Sequence, residues 1–157
     1  MNSVRMEQSR TFPVTVERAY DVVLPAPLTD IFSRRYGLIA PIADVEGQQG
    51  VWGTAVGRTR TIRLSDGGTM LETLTVLDRP HRFGYTIANI TGMMKALVVS
   101  VDGTWTFDPA GSGVRITWAW DVTPTARAGR AAMPLFSKLW AGYARQAMEQ
   151  IEHILVP

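Results

Sequence analysis

Apolar and polar residues alternate along the middle of the chain, from Gly50 to about Val122, in segments separated by turn residues. A period of two is typical of strands that bury one face and leave the other in water. Clusters rich in Gly, Asp and Pro, such as DPAGSG, separate the segments and favour tight turns. The pattern therefore predicts an antiparallel meander with one apolar face, in a sheet of six to seven strands.

The first hairpin of this meander has the clearest local signal. The segments GRTRTIRL and TMLETLTVL are joined by Ser65, Asp66, Gly67 and Gly68, a turn rich in residues that accept a positive φ. One face of each strand would carry Arg60, Ile62 and Leu64, and Met70, Glu72, Leu74 and Val76. If both faces turn inward, Arg60 lies opposite Glu72 within an apolar row.

The later strands place large aromatic residues on the same inward face. Their inward positions would be Phe83, Tyr85, Ile87 and Asn89, then Val99, Val101, Gly103, Trp105 and Phe107, and finally Val114, Ile116, Trp118, Trp120 and Val122. The apolar layer of the sheet is therefore expected to be rich in rings.

The two ends of the chain have different periodicities. Thr11 to Leu24 is rich in Val and is interpreted as the first strand, and PLTDIFSRRYGLIAPI is interpreted as two short helices broken near Gly37 and Pro41. After Pro124 a helical period continues to about Leu155. The apolar stripe of this long helix comprises Phe136, Leu139, Trp140, Tyr143, Ala147, Ile151 and Ile154. This stripe needs a partner, and the apolar face of the meander is large enough to provide it.

Composition supports one domain over residues 1–157, with a structured core at about 12–155. Hydrophobic residues make up 46% of the chain and charged residues 19%, which suffices for a core and excludes disorder. The net charge is only +2, and the arginines are scattered rather than clustered, so no nucleic-acid partner is expected.

The absent and scarce residue types limit the possible chemistry. The chain has no cysteine and only two histidines, His81 and His153, so neither a metal site nor a cofactor is expected. No apolar stretch reaches about 18 residues, and the start MNSVRMEQSR lacks the pattern of a signal peptide. A soluble, cytoplasmic protein is expected, and a homodimer is compatible with the sequence.

The order of these elements resembles the START-like (SRPBCC) superfamily, and within it the polyketide cyclase/dehydrase and lipid transport group. The resemblance runs from about Phe12 to Leu155 and is carried by PAPLTDIF, TRTIRLSDGGTMLETL, DRPHRFGYTI and WAGYARQAMEQIEHIL. It implies an α+β helix-grip fold, in which a curved antiparallel sheet wraps around a long C-terminal helix and two short helices follow the first strand. Many members bind lipids, sterols or polyketides between sheet and helix, and some catalyse cyclisation or dehydration.

A pocket is also expected on physical grounds, because a strongly bent sheet cannot follow a straight helix along its whole length. Besides Arg60 and Glu72, the candidate ligand-binding residues are Tyr85, Asn89, Met93, Met94, Trp105, Trp118, Trp120, Phe136, Trp140 and Tyr143. Aromatic rings with a polar edge suit a flat, partly oxygenated hydrophobic ligand. The alternative is that these rings simply fill the core.

The inward charges Arg60 and Glu72 also have two interpretations. They either anchor a ligand carbonyl, carboxylate or hydroxyl, with Glu72 available as a proton acceptor, or form an ion pair that fixes the hairpin register. Met93 and Met94, in an apolar loop after Gly92, either form an adaptable lip of the pocket or fold onto Ile39 and Ile42.

Three functions remain open from the sequence. The first is binding or carriage of a small hydrophobic molecule such as a lipid, a polyketide or an aromatic compound. The second is a cyclase or dehydratase in which Glu72, Arg60 or Tyr85 handles protons or stabilises an enolate. The third is a regulatory or structural protein whose cavity is closed.

Overall fold

The computed structural model describes residues 2–157 and contains a seven-stranded sheet in the order β1-β7-β6-β5-β4-β3-β2. Every neighbouring pair of strands is antiparallel. The strands are β1 (Val4–Phe12), β2 (Ile42–Glu46), β3 (Thr59–Leu64), β4 (Thr69–Asp78), β5 (Arg82–Ala88), β6 (Val98–Ala110) and β7 (Gly113–Pro124). The first strand therefore pairs with β7, the last strand of the sheet.

In the described part of the chain three α-helices accompany the sheet: α1 (Val16–Val23), α2 (Leu28–Ile31) and α3 (Ala128–Leu155). Met93–Ala96 forms a 3-10 helix. The buried side of α3 includes Met133, Phe136, Trp140, Tyr143, Ala147, Met148, Ile151 and Leu155. These side chains join the inward residues of the strands in one core. The α+β helix-grip fold expected from the sequence is thus confirmed, as is the long C-terminal helix.

The hairpin of β3 and β4 has the predicted register. Arg60 pairs with Glu72 and Ile62 with Met70. In the turn, Asp66 Oδ1 accepts a hydrogen bond of 2.9 Å from the backbone N–H of Gly68, and Gly67 has a φ of 95°. A positive φ strains residues that have a Cβ, so glycine fits this turn.

The predicted first strand at Thr11–Leu24 is wrong, because β1 ends at Phe12 and Val16, Val22 and Val23 belong to α1. Thr15 caps this helix, since its Oγ1 accepts a hydrogen bond of 3.1 Å from the backbone N–H of Arg18. Ala19, Tyr20 and Val23 are buried at helical spacing. The ordered structure accordingly begins before the predicted boundary at residue 12.

The segment PLTDIFSRRYGLIAPI contains one short helix, α2, where the sequence predicted two. Tyr36 and Ile39 form an isolated antiparallel bridge around Gly37, whose φ is 58°, and the chain then enters β2 at Ile42. Two short helices do follow β1, but the first is α1, in the segment that was predicted to be a strand.

Val99 also differs from its predicted inward position. The pairing register of β6 with β7 shifts between Val98 and Ser100. As a result Val98 is 1% exposed and Val99 is 54% exposed. A shift of one residue moves a side chain to the opposite face of a sheet.

Candidate ligand cavity

A cavity of about 70 Å³ lies between the inner face of the sheet, the segment around α1 and α2, and Tyr143 of α3. Its sheet side is lined by Arg60, Ile62, Leu64, Met70, Glu72, Phe83, Tyr85, Ile87, Trp105, Trp118 and Trp120. Its other side is lined by Val23, Leu24, Leu28, Ile31, Phe32, Ile39, Ala40, Ile42, Met94 and Tyr143. The walls are therefore apolar and aromatic, with one pair of opposite charges.

That pair is the ion pair between Arg60 and Glu72, each only 4% exposed. The Nε–H of Arg60 donates a hydrogen bond of 2.8 Å to Glu72 Oε1, and Nη1 donates one of 3.0 Å to Gln48 Oε1. The guanidinium carbon lies 3.9 Å from the centre of the Trp52 ring, a cation–π arrangement. The loop between β2 and β3, which carries Gln48 and Trp52, thus holds Arg60 by a hydrogen bond and a ring contact in addition to its bond with Glu72.

Burial and the neighbouring cation shift the pKa of Glu72 in opposite directions. Burial raises the pKa of this carboxyl group, and the Arg60 guanidinium limits the rise. The net direction is upward, because loss of water disfavours the charged form more than one partner favours it. The cavity therefore holds a carboxyl group that accepts a proton more readily than an exposed glutamate does.

Tyr85 forms the second polar feature of the cavity. Its hydroxyl oxygen accepts hydrogen bonds of 2.8 Å from Trp118 Nε1 and 2.9 Å from Trp120 Nε1. Burial raises the pKa of Tyr85 well above its ordinary value, so the phenol keeps its proton. The ring crosses β6 at Gly103, where any Cβ would overlap it.

Stacked rings form the floor of the cavity and tie the sheet to the helices. Trp105 stacks on Trp118 with ring centres 5.3 Å apart, and Trp118 contacts Trp140 of α3 at 4.7 Å. Phe32 stacks on Tyr143 at 5.7 Å, and the Tyr143 hydroxyl donates a hydrogen bond of 3.1 Å to the carbonyl of Ala40. Ring pairs of this kind add stabilisation beyond the area they bury, so the polar groups sit in a well-ordered wall.

Eight of the candidate residues from the sequence line this cavity, and four do not. The eight are Arg60, Glu72, Tyr85, Met94, Trp105, Trp118, Trp120 and Tyr143. Phe136 and Trp140 are buried in the core outside the lining, and the contact between Trp140 and Trp118 shows that Trp140 lies behind the wall. In this structure these two rings therefore lie in the core.

Asn89 and Met93 point away from the cavity. β5 ends at Ala88, and Asn89 follows with a φ of 52°, which breaks the alternation and leaves its side chain exposed. Met93 begins the 3-10 helix and is 56% exposed, whereas Met94 shares the cavity lining with Ile39 and Ile42. Met94 therefore lines the cavity, as expected from the sequence, and Met93 does not.

Gln48 and Trp52 were missed by the sequence reasoning, as were the apolar walls from α1 and α2. Both lie in the irregular loop between β2 and β3, where no period assigns a side chain to a face. The usable signal was a tryptophan between Gly50 and Gly53, since a large apolar ring in a glycine-rich loop has to cover something.

Two kinds of feature are missing from the described residues. Across residues 2–157 no three His, Cys, Asp or Glu side chains lie close enough to hold a metal ion. Over the same range no helix is both long and apolar enough to cross a membrane.

Comparison with known proteins gives a family and a fold. The sequence model of the family described as "Polyketide cyclase / dehydrase and lipid transport" matches residues 3–155. No curated protein matches the chain significantly.

Similar solved structures include ginseng major latex-like protein 151 from Panax ginseng, with a TM-score of 0.74, 12% identity and 100% of each chain covered. TTHA0849 from Thermus thermophilus has a TM-score of 0.69 and 17% identity, and the match covers 98% of this chain and 97% of that one. DynU16, from the dynemicin biosynthetic locus, has a TM-score of 0.61 and 12% identity over 94% of this chain and 47% of its own. At these identities the likeness concerns the fold.

Proposed function

Because the chain belongs to the polyketide cyclase/dehydrase and lipid transport family, we propose that it binds or carries a small hydrophobic molecule in the cavity between the sheet and α3. The observation that supports this function is a cavity with aromatic and aliphatic walls and one buried charge pair in its lining. Sites for small molecules commonly combine apolar walls with a few fixed polar groups. The ligand classes that fit are lipids, polyketides and aromatic compounds.

The aromatic part of the wall and its charged pair indicate how such a ligand would lie. A flat apolar body would rest against Trp105 and Trp118, and an oxygen-bearing end would face Arg60 and Glu72. At about 70 Å³ the cavity is much smaller than the roughly 300–1,000 Å³ of typical sites. Binding a larger molecule therefore requires side chains on the helical side to move, and Met94, with its flexible thioether chain, is suited to this.

Native mass spectrometry of the purified protein is the first test. A lipophilic mass that co-purifies with the chain supports carriage. Calorimetric titration with lauric acid then tests the cavity directly. A matched pair of variants is compared with the wild type. Ile62→Trp fills the cavity and should abolish binding, and Val99→Trp places the same ring on the exposed side of β6 and should not.

Equal binding by both variants would place the ligand elsewhere on the protein. An empty protein that binds no lipophilic probe would favour a regulatory or structural role with a closed cavity.

A cyclase or dehydratase is a second candidate, favoured by one observation: the buried Glu72, whose pKa is raised, lies beside a fixed cation. In such a reaction Glu72 would accept a proton from a carbon next to a carbonyl, and Arg60 would stabilise the enolate oxygen. The enolate would then expel the hydroxyl group on the neighbouring carbon with breaking of its C–O bond, and that oxygen would take the proton from Glu72 and leave as water. Incubation with a short polyketide analogue followed by mass spectrometry tests this. Loss of water from the analogue with the wild type but not with Glu72→Gln supports the enzyme, and recovery of unchanged analogue supports the carrier.

A further inference from the structure

The hydrogen bonds that the Tyr85 hydroxyl already accepts leave it able to act as a donor towards a ligand. A phenol oxygen accepts through its lone pairs and donates one hydrogen. Trp118 and Trp120 both donate to this oxygen, at 2.8 and 2.9 Å. Indole N–H groups can only donate, so they fix the oxygen as an acceptor and leave the hydroxyl hydrogen for a third partner.

Within residues 2–157 no side chain or carbonyl accepts that hydrogen. The backbone of β6 at Gly103 lies against one side of the ring, and the two indoles occupy the edge at the oxygen. Tyr85 itself lines the cavity. The remaining direction for the hydrogen is therefore into the cavity. Glu72 lines the same space, and its charge raises the pKa of the phenol, but it forms no hydrogen bond with the hydroxyl. Leaving a buried donor unpaired costs stability.

Tyr143 provides the contrast within the same cavity. Its hydroxyl donates to the carbonyl of Ala40 at 3.1 Å, so that hydrogen is already used. The two tyrosines line the same space but differ in the availability of their hydrogen.

We propose that Tyr85, held by Trp118 and Trp120, is a specificity-determining donor that selects ligands with an acceptor oxygen at this end of the cavity. The acceptor is a carbonyl or ether oxygen on an otherwise apolar body. This inference rests on the proposed binding of hydrophobic molecules in the cavity. In addition to the shape of the cavity, a hydrogen bond from Tyr85 then decides which hydrophobic molecule binds.

Two probes of nearly the same shape test the donor. 2-Acetylnaphthalene carries a ketone oxygen, and 2-isopropenylnaphthalene has a CH₂ group in its place. One neutral hydrogen bond in a dry site corresponds to about a tenfold preference for the ketone. Tryptophan fluorescence titration measures both affinities, and the infrared carbonyl stretch of the bound ketone should move to lower frequency than in an alkane solvent.

Matched tyrosine variants assign the preference. Tyr20→Phe, at a buried tyrosine outside the cavity lining, should keep the ketone preference. Tyr85→Phe should reduce it to about one and return the carbonyl stretch towards its alkane value. Since Tyr85→Phe leaves two buried indole N–H groups without a partner, its fold is checked by circular dichroism. If that variant does not fold, the wild type and Tyr20→Phe still provide the affinity ratio and the infrared shift.

The possible failures are distinguishable. Equal affinity of both probes for the wild type, or no infrared shift, overturns the donor role and leaves cavity binding intact. A ketone preference that survives in folded Tyr85→Phe also overturns it, because the donor is then another group. If neither probe binds the wild type, the proposed cavity function itself fails.

Discussion

At the scale of single residues, the buried ion pair of Arg60 and Glu72 dominates the electrostatics of the cavity. Both side chains have lost nearly all contact with water, so each depends on the other. Replacing Arg60 alone by Met leaves a carboxyl group without its cation. We expect Arg60→Met to lower the free energy of unfolding by about 3–5 kcal/mol, measured by urea denaturation.

The double variant Arg60→Met/Glu72→Met removes both charges and should be at least as stable as the wild type, because an apolar pair avoids the loss of hydration. Arg63→Met, which removes an exposed partner of Glu46, is the control and should change stability little. If the double variant is as unstable as the single one, the pair contributes through packing or register rather than through its charges. If it binds the ligand as the wild type does, the anchor role of the pair is contradicted.

The raised pKa of Glu72 predicts a pH dependence of stability with a definite sign. On unfolding, the carboxyl group returns to its ordinary value near 4.5, so the folded state holds the proton more tightly. The stabilisation from this group is complete below that value and is lost as pH rises through the folded-state pKa. The free energy of unfolding of the wild type should therefore fall with rising pH relative to Glu72→Gln.

Urea denaturation of both proteins between acidic and neutral pH measures the difference. An increase of the wild-type stability relative to Glu72→Gln over this range would mean that the attraction of Arg60 outweighs burial. The comparison removes the contribution of exposed groups that titrate identically in both proteins. One such group is Asp21, whose pKa is lowered by its hydrogen bond with Arg79.

At the scale of elements, β6 keeps Tyr85 in place by having no side chain at Gly103. A Cβ there would occupy the space of the Tyr85 ring. We expect Gly103→Ala to displace the hydroxyl from Trp118 and Trp120 and to lower the free energy of unfolding by about 1–3 kcal/mol. Thr104→Ala, in the same strand on the opposite face, should have a smaller effect.

Thermal denaturation measures the stability of these variants, and the tryptophan emission reports the environment of the two indoles. An unchanged spectrum and stability in Gly103→Ala would show that the sheet adjusts around the added methyl group. The donor role of Tyr85 would then not depend on Gly103.

The elements also show where sequence reasoning succeeds. The register of Arg60 with Glu72 was predictable because alternation and a short glycine turn both fix it. α1 was not, since its valines satisfy a strand propensity and only the Thr15 cap and the buried spacing of Ala19, Tyr20 and Val23 indicate a helix. Asn89 was misplaced because a period cannot reveal a left-handed φ.

At the scale of the whole molecule, the order of elements was sufficient for the fold, and the cavity was not fully predictable. Strand and helix faces identify the inward layer, but the same layer contains both core residues and cavity lining. Phe136 and Trp140 belong to the core, whereas Trp118 and Tyr143 line the free space. The division depends on the relative positions of α2, α3 and the sheet, which no local pattern contains.

That shared layer leads to a prediction about stability and binding together. Ile62 lines the cavity, and Ile116 is buried in the same core but outside the lining. Replacing either by Ala should lower the free energy of unfolding by about 2–5 kcal/mol, because each change leaves a void. In Ile62→Ala the void joins the existing cavity, and in Ile116→Ala it does not.

Addition of 2-acetylnaphthalene should therefore raise the melting temperature of Ile62→Ala by more than that of the wild type, since a ligand stabilises the state that it fills. The rise in Ile116→Ala should equal that of the wild type. Thermal unfolding at increasing probe concentration measures all three. Equal shifts in both variants would mean that the probe stabilises the protein from a site outside this cavity, because only there would the position of the void be irrelevant.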